Sequence, residues 1–449
     1  MNSSNIKQGR GFTSNFGAIV AAAGGAIGLG NIWRFPYVAG SNGGGAFVLV
    51  YLFFIFFIGV PLLLSEFIIG RRSQHNAVGA FRTLTPKYKQ WALVGMLGIF
   101  TTFLIYSFYS VVAGWTLNYV VLSVSGSLSG LTPHEVTDVF FNFTQSSWLP
   151  IIYQFIFLTI TGLIIIAGVQ KGIEKYTKIL LPILFFLMLL MCARSLTLDG
   201  AKQGVEFLFK PDFSALTWGG VLAALGQAML SLSIGTGASI TYGSYIQKKD
   251  NLFKTSLWIT GADTLIALLA GLAIFPAVFA FGMSPASGPS LVYEVLPNVF
   301  NSMVGGQFFA ILFFLLLSVA ALTSTILLLE ILVLWMIEEW KWTRVKASII
   351  ASLAVFMVGI FCSLSFGVLH DFTICGRTIF DLFDLLTASY LMPIGALALI
   401  IYLGWFYPRT EILDELSNGG ILRASYFKYY YFIIRYIAPL ALIIVLILA

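Results

Sequence analysis

"GAIGLGNIWRFP", Gly25 to Pro36, lies inside the first long apolar stretch of a 449-residue chain. Gly25, Gly28 and Gly30 crowd its first half, and Asn31 and Arg34 follow at what should be membrane depth. Glycine costs a helix roughly 1 kcal/mol per interior position. Backbone released from helical pairing in lipid costs more, unless it lines a polar cavity. The stretch therefore reads as a membrane helix broken to expose its backbone. The plainer reading is close helix packing, since Gly24 and Gly28 form a GxxxG pair. A dinucleotide-binding reading fails, because no strand precedes the glycines and the full GxGxxG is absent.

Composition sets the context. Of the residues 59% are hydrophobic and 10% charged, and the mean hydropathy is +0.92. A soluble domain of this size needs far more surface charge. Apolar runs of roughly 20 residues, enough to cross a hydrocarbon core, predict eleven spans: about 15–38, 44–70, 91–124, 149–168, 174–196, 217–246, 254–281, 304–340, 345–366, 376–407 and 428–448. Spans 3 and 8 exceed the bilayer thickness and should tilt. The alternating segments of about 10 residues that mark a membrane barrel are not visible. The polar opening "MNSSNIKQGRGFTSN" lacks the form of a cleaved signal peptide. Cys192, Cys362 and Cys375 are scattered, and His75, His134 and His370 fall in predicted loops. Neither a disulfide framework nor a metal or haem centre is therefore expected.

Charge placement supports this count. With the N-terminus inside, 19 of the 25 basic residues fall on inner segments and four on outer ones. That is the bias that orients membrane proteins. The net charge of +6 is thus a topology signal and not a sign of nucleic-acid binding.

Span 6 breaks in the same way as span 1, at "SIGTG", residues 233–237. Five spans separate the two breaks, and an odd number inverts the second copy. Interrupted helices in matching positions of inverted halves point to a transporter site. Unwound carbonyls can take a cation, and half-helix amides can take an anion. Oxygen side chains near the breaks are Asn31, Ser231 and Ser233, with Thr323, Ser324 and Thr325 in the "ALTST" of span 8. Such groups suit a hard cation, although hydroxyls in membrane helices also bond back to their own helix. Charges within spans are functional candidates. Arg34 faces Asp381 or Asp384 as a gate or as a static pair. Asp263 has no basic neighbour in sequence, and a bound cation would neutralise it. Glu66, near the inner end, reads as structural or, with Asp263, as the carrier in a proton-coupled transporter, and Glu330 receives no role.

These motifs resemble the neurotransmitter:sodium symporter family, particularly its bacterial amino-acid transporters. The anchors are "GLGNIWRFP" with "NGGGAF" at 42–47, "IYSFYSVVAGW" at 105–115, "KGIEK" at 171–175, "GQAMLSLSIGTGASITYGSY" at 226–245 and "ALTST" at 321–325. A bacterial leucine transporter of that family is the type case for broken helices in inverted repeats. The resemblance implies an all-α polytopic fold of eleven helices. It is a 5+5 inverted repeat, with repeats at about 15–196 and 217–407 and an extra helix at 428–448, all one transmembrane domain over 1–449.

The resemblance also implies two sodium ions. The first would be held by the Ala26 carbonyl, Asn31, Ser231 and Asp263, and the second by the carbonyls of Gly24, Ile27 and Ala320 with the hydroxyls of Thr323 and Ser324. Arg34 with Asp384 and Gln227 would form the outer gate, and Arg10 with Glu338 and Tyr245 the inner one. The inner gate departs from the family pattern, since Phe12 sits one residue closer to the arginine than expected. Chloride-dependent members lack a carboxylate where Asp263 stands, so no chloride is expected here.

Amine transporters of the family carry an aspartate at the place of Gly28. Its absence implies a substrate with its own carboxylate, an amino acid, received by Leu29, Gly30 and Tyr109. The remaining pocket would comprise Ala26, Ile105, Leu230, Ser231, Ser233, Thr236, Ser324 and Leu328. It is mostly apolar, which favours a neutral hydrophobic or aromatic side chain. The expected function is sodium-coupled amino-acid symport across the cell membrane, N-terminus cytoplasmic and C-terminus outside. The partners are the amino acid and the lipid bilayer, with no enzymatic activity. A proton-coupled transporter and a non-transporting sensor remain alternatives, and the oligomeric state is open.

Overall fold

The structure is a computed structural model describing residues 28–167 and 170–448, with the backbone alone over 170–181. The first half of span 1, and with it Arg10, Gly24, Ala26 and Ile27, lies outside the described residues. A π-helical turn Gly30–Arg34 runs into Phe35–Ser41, together α1. Then follow α2 (Gly45–Ser73), α3 (Ala77–Leu84), α4 (Lys89–Val124), α5 (Pro133–Gln145), α6 (Leu149–Ala167), α7 (Gln170–Ser195) and α8 (Ala201–Phe209). The second half comprises α9 (Trp218–Ser231), α10 (Ala238–Gly243), α11 (Leu252–Ala280), α12 (Leu291–Asn301), α13 (Gly306–Trp340), α14 (Arg344–Leu364), α15 (Ile379–Phe406), α16 (Arg409–Ser417) and α17 (Phe427–Leu448).

Eight of these helices are long and apolar enough to cross a membrane: α2, α4, α6, α11, α13, α14, α15 and α17. The other expected spans correspond to α1, α7 and the broken pair α9–α10. Among the described residues no strand forms. Helix starts are set by side-chain caps of the usual kind. Thr217, Asn251, Thr343 and Thr378 accept from the backbone amides of Gly220, Lys254, Lys346 and Asp381. This gives Asp381 a local role at the start of α15 and leaves the arginine to Asp384. His134 lies at the start of helix α5 rather than in a loop, because Thr132 and Glu135 close a capping box there.

The two longest helices, α4 and α13, pack along one another, and α6 and α14 pack behind α4. With 35 residues, α13 is much longer than the hydrocarbon core is thick, so it tilts or protrudes. The broken helices occupy the middle. α1 packs on α11 and α9, α9 also touches α2 and α15, and α10 lies against α2. This last crossing is backbone on backbone. A Cβ on Gly243 would lie 2.9 Å from the Phe67 carbonyl oxygen and 3.2 Å from the Gly70 Cα, and a Cβ on Gly70 would run into the Ile240 carbonyl. Gly70→Leu should therefore destabilise the fold by about 1–3 kcal/mol. The check is a lowered unfolding temperature in detergent, against a Gly261→Leu control where nothing lies within 4 Å.

Candidate functional site

Span 6 breaks between Ser231 and Ala238. The turn requires left-handed backbone at Ser233 (φ 54), Gly235 (φ 83) and Gly237 (φ 76), all in degrees. Glycine's freedom is thus used at two of the three positions. Polar backbone inside a membrane protein must find partners. Side chains from other helices provide them. Glu66 of α2 accepts from the Gly235 amide at 2.7 Å through Oε1. Thr102 of α4 donates to the Thr236 carbonyl at 2.9 Å. On the span 1 side, the Leu29 amide donates to the Tyr109 hydroxyl at 3.1 Å, and Gln227 donates to the Gly30 carbonyl at 2.9 Å. Glu66 is 1% exposed, and its second oxygen has no hydrogen-bond partner among the described residues. Sequence reading takes Glu66 as structural or as a proton carrier and does not name it as a cap. Only its presence in an otherwise apolar span marks it, and that marks the residue without naming its partner.

Between the two breaks, Asn31, Ser231 and Asp263 meet, all buried. The Asn31 side-chain nitrogen donates to Asp263 Oδ1 at 2.7 Å, to the Asp263 carbonyl at 2.9 Å and to Ser231 Oγ at 3.2 Å. Ser231 donates to Asp263 Oδ2 at 2.5 Å. Three oxygens thus converge on one nitrogen that has only two hydrogens to give. Among the described residues no basic side chain bonds Asp263. An oxygen cluster of this kind, carrying one formal negative charge, suits a hard monovalent cation. The second expected ion site is described only in part. Thr323 and Ser324 both donate to the Ala320 carbonyl, at 2.8 and 3.4 Å, the back-bonding the sequence left open. Thr325 also donates back to its own helix, to the Leu322 carbonyl at 3.0 Å, and lies 3.2 Å from the Thr161 hydroxyl of α6.

Tyr109 and Ser324 close on the start of the described chain. A Cβ on Gly28 would fall onto the Ser324 hydroxyl and lie 3.0 Å from the Tyr109 oxygen. Leu230 approaches Gly30, with 3.7 Å from its side chain to a Cβ placed there. Ile105, Thr236 and Leu328 are buried, while Ser233 is half-buried.

Toward one end, Arg34 grips Asp384 with two hydrogen bonds, Nε to Oδ1 at 2.8 Å and Nη2 to Oδ2 at 3.0 Å. Its third arm reaches Gln227 at 2.6 Å. Arg34 is 3% exposed and Asp384 15%, so the pair is closed and nearly dry. Tyr37 adds a donor to Asp384 at 3.1 Å. Sequence reading misses it, although it stands one turn beyond Arg34 on the same face. Trp33, Tyr37, Phe108 and Phe380 pack around this pair, with ring centroids 5.1 to 6.3 Å apart. At the other end Glu338 accepts from the backbone and side chain of Asn76, and Tyr245 lies in the turn after α10. Glu330, unassigned in sequence, pairs with Arg344 at 2.6 and 3.0 Å.

Residues 10–138 and 143–449 match the family described as the sodium:neurotransmitter symporter family. The chain belongs to the sodium:neurotransmitter symporter family. It is similar to the sodium-dependent transporter YhdH of Bacillus subtilis, 44% identical over 434 residues, 97% of this chain and 96% of the relative. A sodium-dependent transporter of Haemophilus influenzae is 36% identical over 455 residues, covering 99% and 98%. The crystal structure of MhsT in complex with L-phenylalanine superposes with a TM-score of 0.94 at 44% identity, over 98% of this chain and 99% of that one. The family is one of membrane symporters and not of enzymes, and it is sodium-dependent.

The break capped by Glu66 gives a direct test. Glu66→Ala leaves the buried Gly235 amide unpaired, a loss of about 1–3 kcal/mol. Glu66→Gln keeps an acceptor there and should recover most of it. Thermal unfolding of the two variants in sodium should rank them in that order, with Glu66→Ala the less stable.

Proposed function

We propose that this symporter couples sodium to the uptake of a neutral amino acid across the cell membrane, by alternating access and without chloride. The observation that carries this reading is the buried oxygen cluster of Asn31, Ser231 and Asp263, set where two broken helices meet. MhsT, with 44% identity, holds L-phenylalanine, which supports an amino-acid substrate with an apolar or aromatic side chain.

One sodium ion takes the centre of the cluster. The Asn31 amide then turns its oxygen inward, and the Asp263 charge is neutralised. A second ion engages Thr323, Ser324 and the Ala320 carbonyl, together with the backbone of residues 24 and 27. The substrate carboxylate meets the Leu29 and Gly30 amides and the Tyr109 hydroxyl, a half-helix start suited to an anion. Its side chain enters a pocket formed by Ile105, Leu230, Ser233, Thr236, Ser324 and Leu328. Substrate bridges the two breaks, and Arg34 closes on Asp384 above it. The inner gate is Arg10 with Glu338, supported by Tyr245. Coupling needs only that ion and substrate bind one state better together than apart. Two inverted repeats, about 15–196 and 217–407, supply the two arrangements, with the N-terminus cytoplasmic and the C-terminus, after the extra helix 428–448, outside.

Two experiments test this. Labelled phenylalanine and leucine are bound to purified protein in sodium and in potassium at fixed pH. Sodium should raise the affinity between about 5- and 150-fold, the usual range of site–site coupling. Equal binding in both salts, rising at low pH, would replace sodium by protons carried on Asp263 or Glu66. Equal binding without transport would make the chain a sensor. Separately, Asp263→Ser removes the fixed charge, and transport by that variant should come to need added chloride. Continued transport in chloride-free medium would count against a role for the Asp263 charge.

A further inference from the structure

Cationic side chains at the end of the bundle where α2 stops are mostly matched by acids. Arg71 bonds Glu415, Arg72 bonds Glu411 and Asp414, Arg82 bonds Glu339, and Arg344 bonds Glu330. Arg409 and Arg435 differ. Among the described residues neither forms an ion pair, and both lie over the same ring. The Arg409 guanidinium stands 5.0 Å from the Tyr431 centroid and 5.2 Å from that of Phe427. The Arg435 guanidinium stands 5.8 Å from Tyr431, 5.7 Å from Trp405 and 5.6 Å from Tyr436.

Arg435 lies just over two turns into α17, which begins at Phe427. Here α17 touches the last turn of α15. A Cβ on Gly404 would lie 3.3 Å from the Arg435 Cα, and Tyr431 donates to the Gly404 carbonyl at 3.0 Å. Arg435 reaches back toward the helix start, its Nη1 giving a hydrogen bond of 3.3 Å to the Tyr431 hydroxyl. Its Nε is buried and has no hydrogen-bond partner among the described residues. Two like charges against one ring near hydrocarbon repel one another. Aromatic faces attract each of them only weakly. A multidentate anion held by the remaining guanidinium nitrogens relieves the repulsion. The surface beside them is aromatic and exposed, at Trp405, Phe406, Phe432 and Tyr436, which is where acyl chains lie against a membrane protein. The anion this place accommodates therefore carries its own hydrocarbon.

We propose that Arg409 and Arg435 form a binding site for an anionic glycerophospholipid. Its phosphate lies between the two guanidiniums, and its acyl chains run along α15 and α17 over Trp405 and Tyr436.

The test is native mass spectrometry of the delipidated full chain in detergent. The probes are phosphatidylglycerol and phosphatidylcholine with identical chains, and soluble glycerol 1-phosphate as the free-anion arm. Phosphatidylglycerol should be retained in preference to phosphatidylcholine. Arg409→Gln and Arg435→Gln should each lower that preference about fivefold, and the double variant should abolish it. Arg435→Lys should retain more of it than Arg435→Gln. Lys346→Gln, whose ammonium lies 4.5 Å from the Trp342 ring on α14, should leave it unchanged. Arg409 is exposed, so its variant reports even where a change at Arg435 prevents folding. An unaltered preference in the arginine variants would overturn the proposal. So would an equal drop in Lys346→Gln, which would mean diffuse attraction. Displacement by millimolar glycerol 1-phosphate would overturn it too, by showing a site for free phosphate.

Discussion

Hydrocarbon offers no partner to a peptide group, and the centre of this protein is arranged around that constraint. The helix of span 6 is interrupted, span 1 is described from Gly28 onward, and both stretches of backbone are stitched by side chains from elsewhere. Glu66 takes the Gly235 amide, Thr102 the Thr236 carbonyl, Gln227 the Gly30 carbonyl and Tyr109 the Leu29 amide. Each donor or acceptor comes from a helix other than the one it serves. Local bonds help, as where Asn31 accepts from the Gly28 amide and Thr236 donates to the Ser233 carbonyl, but the four bonds from other helices need α2, α4 and α9 in place. The long pair α4 and α13 fixes one wall, and the close glycine contact between α2 and α10 fixes another.

The same residues tie the gate to the break. Gln227 accepts from Arg34 and donates to Gly30, so one amide spans from the gate's cation to the unwound backbone. Opening the Arg34–Asp384 pair changes what Gln227 can offer to Gly30. Any shift of the α1 backbone is likewise felt at the gate. The path from entrance to ion cluster is short and consists of hydrogen bonds, with Asn31 one turn before Arg34 on the same helix. The oxygen cluster and the Arg34–Asp384 pair thus share parts, so the ion site and gate proposed for them need no communication over distance.

Much of this is legible in the chain itself. Glycines at 235 and 237 mark the break in span 6, where the turn uses their left-handed backbone, and only the matching glycines of span 1 set this pattern apart from ordinary glycine packing. Asn31, Ser231 and Asp263 stand out as polar groups in apolar runs, and they do meet. Arg34 has two carboxylates to choose from. Sequence cannot choose, since Asp381 and Asp384 lie one turn apart; a local cap on α15 settles it by occupying Asp381. Glu66 is visible as a charge but not as a capping group, because its partner is a backbone amide far along the chain, and backbone amides carry no sequence mark. Tyr37 is hidden for another reason, since aromatic residues are common in every span here. The short helices α5, α8 and α12 between spans escape a hydropathy reading, being too polar or too short to register.

Gly28 has a consequence for how substrate choice can change over evolutionary time. An aspartate there would bring the negative charge that amine carriers use, but its Cβ would collide with the Ser324 hydroxyl and crowd Tyr109. The serine hydroxyl ends a short side chain and can rotate away, so the switch is open in one step but has a cost elsewhere, since that hydroxyl is the one proposed for the second sodium ion. A lineage moving from amino acids toward amines would gain its carboxylate while drawing Ser324 off the ion, and would lean on its neighbour Thr323 to hold it. Change of substrate and change of ion affinity are thus linked through a single missing side chain.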